Sequence, residues 1–134
     1  MEDNPADIYL LRHALDQHGE EYQLDVLADG EAALHFIHGQ RTLAAEPDPC
    51  VIVLDLHLPK HDGTTVLEAL RQEPSLSGVQ VVAWTTLAAP QEEHEVRNLG
   101  VRLCTRKPIE LDEWISLAGQ ILEICREKSQ PALA

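Results

Sequence analysis

The sequence predicts an α/β fold, a doubly wound parallel sheet with helices on both faces. Three observations predict it. Short apolar runs alternate along the chain with stretches of helical periodicity. Two of those runs, residues 50–55 and 79–85, are apolar almost throughout, the pattern of strands buried on both faces. The 134 residues, 44% of them apolar, suit one domain around one core.

Asn4 is suited to cap a first helix, with Pro5 at its first position. Ile8, Leu11 and Leu15 then form an apolar stripe, and Gly19 stops the helix. Residues 22–28 alternate and read as a strand. Asp29 and Gly30 make a turn that can cap a second helix, carried by Ala33, Leu34 and Ile37 and ending near Gly39. Pro47 and Pro49 mark residues 40–49 as a loop. The strand at 50–55 closes on an acid, Asp55, and a loop with Pro59 and Gly63 follows. A third helix spans 64–72 and stops before Pro74. After the strand at 79–85, residues 90–99 are helical and polar, with Gly100 as the stop. A short strand at 101–105 precedes an amphipathic helix at 110–126, whose apolar side holds Trp114, Ala118, Ile121 and Leu122. The domain is therefore expected over residues 1–126, with a tail at 127–134.

Composition excludes several functions. A formal net charge of −13 disfavours nucleic acid and anionic membrane surfaces, which need clustered Lys and Arg. No apolar run is long enough to cross a bilayer, and the N-terminus has neither a basic patch nor an apolar core, so a cytoplasmic protein is expected. Cys50, Cys104 and Cys125 are odd in number and widely spaced, which predicts reduced thiols rather than a disulfide framework or zinc site. His35 with His38, and His57 with His61, lack a third ligand. No phosphate-loop, dinucleotide or nucleophile-elbow motif occurs.

In a parallel sheet, reactive groups gather at the carboxyl ends of the strands. That rule selects Asp55, Thr85, Thr86 and Lys107. Glu2 and Asp3 join them if they too follow a strand. The set is chemically coherent. A carboxylate can take a phosphoryl group as nucleophile. Two further acids suit a hard divalent cation such as Mg²⁺. A lysine neutralises phosphoryl oxygens, and a hydroxyl can hydrogen-bond them. Pro108 turns the chain immediately after Lys107.

These segments resemble the response-regulator receiver family of two-component signalling. Glu2-Asp3-Asn4-Pro5-Ala6-Asp7 resembles the family's acidic pair. Val53-Leu54-Asp55-Leu56-His57-Leu58-Pro59-Lys60-His61-Asp62-Gly63 resembles its phosphorylation segment. Thr85 lies 30 residues after Asp55, and Lys107 lies 52 after it, as in single-domain chemotaxis-type receivers. The Asn-Pro-Ala-Asp wording and the long 38–49 loop look most like the phytochrome-associated subgroup. The resemblance implies a flavodoxin-like sheet of order 2-1-3-4-5. It implies that Asp55 accepts phosphate from a histidine kinase, phytochrome-type by subgroup. Glu2, Asp3, Asp55 and the backbone carbonyl of His57 would hold Mg²⁺, Lys107 would contact the phosphoryl group, and Thr85 would move toward it. The expected protein is a stand-alone response regulator rather than an enzyme, signalling by protein contact, with residues 90–125 as a surface for a partner or a homodimer.

The sequence departs from that pattern in three places. Met1 directly precedes Glu2, where receivers carry an apolar strand, so the first strand of the expected sheet is missing or truncated. A shortened start, or a strand exchanged between protomers, is the expected remedy. Cys104 stands where the family has an aromatic ring, leaving Trp84 as the candidate switch beside a core role. Arg106 is expected to cover the site or pair with an acid. His57 and Thr86 occupy positions that tune water access in the family, and their bulk implies slow phosphate loss. Two rivals stand beside the leading reading. One is a degenerate, unphosphorylated receiver acting as an interaction module. The other is a small phosphatase, disfavoured because His57 replaces the second acid such chemistry uses.

Overall fold

The computed structural model describes residues 1–39, 49–58, 60, 62–74, 76, 78–85 and 90–129. Eight elements run in the order α1 (Pro5–Asp16), α2 (Gly30–Ile37), β1 (Val51–Asp55), α3 (Gly63–Gln72), β2 (Gln80–Thr85), α4 (Pro90–Asn98), β3 (Leu103–Arg106) and α5 (Leu111–Ser129). The strands form a parallel sheet of order β1-β2-β3. Val51 pairs with Gln80 and Asp55 with Trp84, while Thr85 pairs with Arg106.

Local chemistry fixes the helix starts. Asn4 accepts a hydrogen bond from Ala6 N at 2.9 Å, Asp29 from Ala32 N at 2.8 Å, and Asp62 from Thr65 N at 2.9 Å. Pro5 sits in the first turn of α1, where its missing N–H is no loss.

The sheet divides two apolar layers. On one face Ala33 and Ile37 of α2, Val66, Leu67 and Leu70 of α3 and Val96 of α4 pack on Ile52, Leu54, Val81 and Ala83. On the other face Leu11, Ala14 and Leu15 of α1 and Trp114, Ala118 and Ile121 of α5 pack on Val82 and Trp84. Trp84 and Trp114 meet edge to face, with ring centroids 5.4 Å apart.

Three sequence expectations are corrected here. Residues 22–28 form no strand. Among the described residues, the backbone hydrogen bond to this segment is that of Glu2 N–H to the Leu27 carbonyl at 3.0 Å, and a ladder needs a longer neighbour. The last helix continues to Ser129, past the expected boundary at 126. Cys50 and Cys125, expected as reduced thiols, form a disulfide with Cα atoms 5.1 Å apart. Their separation of 75 residues hid a proximity that only the packing of α5 beside β1 creates. Most of the expected loop at 40–49, Thr86 and residues 130–134 of the expected tail lie outside the described residues.

Gly63 is set by close approach. A Cβ there would stand 2.5 Å from Leu56 Cα, and Gly63 N already donates to Leu56 O at 2.9 Å. The loop after Asp55 therefore closes onto backbone that has no slack. Gly63→Ala is expected to destabilise the protein by about 1–3 kcal/mol in urea unfolding, with the slope of the transition unchanged.

Candidate functional site

Register places the reactive groups. Asp55 ends β1 and pairs with Trp84, so Thr85 stands one residue further along β2. Thr85 in turn pairs with Arg106, and Lys107 N donates to Thr85 O at 2.8 Å. Asp55, Thr85 and Lys107 thus share the carboxyl edge of the sheet, as the sequence led one to expect. Asp55 and Thr85 are buried, at 4% and 1% exposure.

The two N-terminal acids reach the same edge without a preceding strand. The Met1 ammonium donates to Val53 O at 2.9 Å, and Asp55 N donates to Met1 O at 3.0 Å. On its other side Glu2 N donates to Leu27 O at 3.0 Å. Two residues therefore bridge β1 and the 22–28 segment, delivering Glu2 and Asp3 beside Asp55. Carboxylate oxygens of Glu2, Asp3 and Asp55 lie within 4.8 Å of one another.

Lys107 is the hub. Its Nζ lies 2.8 Å from Asp7 Oδ2, 3.0 Å from Asp55 Oδ2 and 3.0 Å from Glu2 Oε2. It also sits 5.9 Å from the centre of the Trp84 ring. Burial works against its charge, but the hydrogen bonds it donates to Asp7, Glu2 and Asp55 overcome it and hold the ammonium well above its usual range. Glu2 is raised by burial, an effect opposed by the Asn4 N–H and by Lys107. Its Oε1 accepts from Asp3 N and Asn4 N at 3.1 Å each, and its Oε2 from Trp84 Nε1 at 2.8 Å. Asp55 Oδ1 accepts from His57 N at 2.9 Å, which leaves Oδ2 directed at Lys107.

Four carboxylates here face Lys107 and the Met1 ammonium, so negative charge is in excess. Such an excess, in oxygen ligands, fits a hard divalent cation. Among the described residues, this trio is the one group of acids, His or Cys spaced to hold a metal. The family profile of the response regulator receiver domain matches residues 1–118. The chain belongs to the response regulator receiver family.

Proteins similar to this receiver include phytochrome-associated response regulators. It is 40% identical over 86 residues to response regulator Rcp1 of Synechocystis, covering 64% of this chain and 58% of that protein. The crystal structure of the phosphorylated cyanobacterial phytochrome response regulator RcpA superposes with a TM-score of 0.85 at 27% identity, covering 99% of this chain and 95% of that one. The Mn²⁺-bound form of Rcp1 gives 0.79 at 32% identity, covering 90% and 87%.

Three features of the receiver's site were missed or misjudged in the sequence. Asp7 was read only as part of the acidic motif, yet it makes the shortest contact to Lys107. Trp84 serves the core, as expected, and its indole N–H also fixes Glu2. Arg106 is exposed and makes no ion pair among the described residues, so the expected pairing with an acid is not seen.

The Met1 ammonium is pushed down to about 6 from 8.0, by burial first, against the attraction of Glu2 and Asp55. A base depressed in the folded state binds its proton more weakly there than when unfolded, so stability rises with pH between the two values. The unfolding midpoint is expected to climb from pH 6 to pH 8, and acetylation of Met1 is expected to remove that component of the slope.

Proposed function

We propose that Asp55 accepts a phosphoryl group from a sensor histidine kinase, in a reaction that depends on Mg²⁺. The observation that carries this reading is the convergence of Asp55, the Glu2–Asp3 pair and Lys107 within one small polar patch at the carboxyl edge. Asp3, Asp55 and the His57 carbonyl are the residues that would hold the cation, with Glu2 beside them. Mg²⁺ bound there supplies positive charge to phosphoryl oxygens.

The chain's own residues perform the rest. Asp55 Oδ2 attacks phosphorus, the bond from phosphorus to the kinase histidine nitrogen breaks, and the histidine leaves neutral after taking up a proton. Lys107, already 3.0 Å from Asp55, then exchanges a carboxylate contact for a phosphoryl oxygen. Thr85, next along the edge, supplies a hydroxyl to the same group. Burial of Asp55 limits water access to the acyl phosphate.

The partner kinase is proposed to be phytochrome-type, by similarity to the cyanobacterial phytochrome response regulator RcpA. The protein is proposed to act in the cytoplasm as a stand-alone regulator, away from nucleic acid and membrane, and to turn over no substrate of its own. Its output surface is assigned to residues 90–125, where Leu111 is 46% and Ile109 87% exposed, apolar groups suited to a protein contact or a homodimer. The degenerate reading draws on the open groove beside Met1, which leaves the acidic pair thinly supported.

Acetyl phosphate with Mg²⁺ is expected to add one phosphoryl group, detected by intact mass, and Asp55→Asn is expected to abolish it. Lys107→Ala should slow labelling by about 100-fold or more, by loss of one charge contact to the transition state. A wild-type chain that stays unlabelled favours the degenerate receiver. Because Trp84 bonds Glu2, Mg²⁺ should also change tryptophan emission, and Asp3→Ala should weaken the apparent affinity at least about tenfold.

A further inference from the structure

Ala118, Ile121 and Leu122 form an apolar stripe along α5, and Cys125 takes the next position on the same face. Cys50 directly precedes Val51, which packs on that layer at the start of β1. The Cys50–Cys125 disulfide, with Cα atoms 5.1 Å apart, is thus the end contact of the layer between α5 and β1. It lies at the amino end of the strand. Asp55 closes the other end, about 16 Å away along extended chain.

The neighbours of the disulfide give this end of α5 little other support. Arg126 and Glu127, the next two residues, are exposed. Arg126 pairs with Glu20, and Glu127 with Arg102, but exposed ion pairs of this kind contribute little. At the far end of α5, by contrast, Trp114 is fully buried and packed edge to face on Trp84. Cys50 and Cys125 are both half-buried, at the margin of the core rather than sealed inside it. A disulfide so placed is within reach of a thiolate from solution. Cys104 lies in β3 and packs on the opposite layer, so it stands apart from the pair.

We propose that Cys50 and Cys125 form a thiol–disulfide exchange site, a modification site whose co-reactants are low-molecular-weight disulfides and thiols, and whose redox state sets how firmly the end of α5 is held on β1. In oxidation, one protein thiolate attacks a sulfur of the small disulfide. That S–S bond breaks, a mixed disulfide forms and one small thiol leaves. The second protein thiolate then attacks the protein sulfur of the mixed disulfide, and the second small thiol leaves. Two electrons pass from the cysteine pair to the small disulfide, and the two thiol protons end on the two small thiols. Reduction by two small thiols runs the same steps backwards. Exchange of this kind is how disulfides form and break in a reducing compartment such as the cytoplasm proposed above.

The test equilibrates the folded full chain with glutathione disulfide and glutathione at a series of ratios. Samples are quenched in acid, denatured, alkylated and weighed intact. One alkylated thiol, that of Cys104, is expected at oxidising ratios and three at reducing ratios, with no lasting glutathione adduct. On reduction, amide exchange at Ile121, Leu122 and Ile124 is expected to quicken at least about tenfold. The thermal midpoint is expected to fall by about 10 °C. Cys125→Ser is expected to match the reduced chain in both readings at every ratio. Three alkylated thiols at every ratio overturn the proposal, and so does a chain that stops at a glutathione adduct. A bond that glutathione cannot reduce in the folded chain also overturns it, because the disulfide is then a permanent staple. So does amide exchange at 121–124 that is the same in both redox states. None of these readings uses phosphate or metal, so they stand or fall apart from the proposed phosphorylation of Asp55.

Discussion

The site depends on the backbone bridge made by Met1 and Glu2. Met1 grips β1 through Val53 O and Asp55 N, and Glu2 grips Leu27 O. Those three bonds help to put two carboxylates beside Asp55. The same bridge aligns α1, whose Asp7 closes on Lys107 from above. Backbone bonds of this kind contribute only about 1 kcal/mol each net. An apolar groove lies immediately behind the acids.

Electrostatics explains why the arrangement is poised rather than inert. Lys107 satisfies three carboxylates at once, so no one of them owns it. A cation between Asp3 and Asp55 would compete with Lys107 for Asp55 and Glu2. Asp7 would then keep the ammonium paired. The Trp84 indole keeps Glu2 fixed meanwhile, linking the site to the packing of Trp84 on Trp114 and α5. Local charge change and helix packing therefore share one side chain.

Much of this was legible in the sequence. The runs ending at Asp55 and Thr85 announced buried parallel strands, and the carboxyl-end rule selected the reactive edge from pattern alone. The caps at Asn4 and Asp29 fell where the residue types put them. What was hidden shares one cause, dependence on tertiary neighbours. Residues 22–28 have the alternation of a strand but, among the described residues, no full-length strand partner, and a strand is defined by its partner. The Cys50–Cys125 contact spans 75 residues of sequence and exists only because α5 lies beside the start of β1. Asp7 and Trp84 each do ordinary local work, a first helical turn and a core ring, that masks their second contact.

A two-residue bridge brings a set of acids suited to a cation against Asp55. Anomalous diffraction from crystals soaked in Mn²⁺, a stand-in for Mg²⁺, tests it most directly. A single strong peak between Asp3 and Asp55, with Lys107 withdrawn toward Asp7, is expected. A peak elsewhere, or no peak with Lys107 still bonded to Asp55, would contradict it.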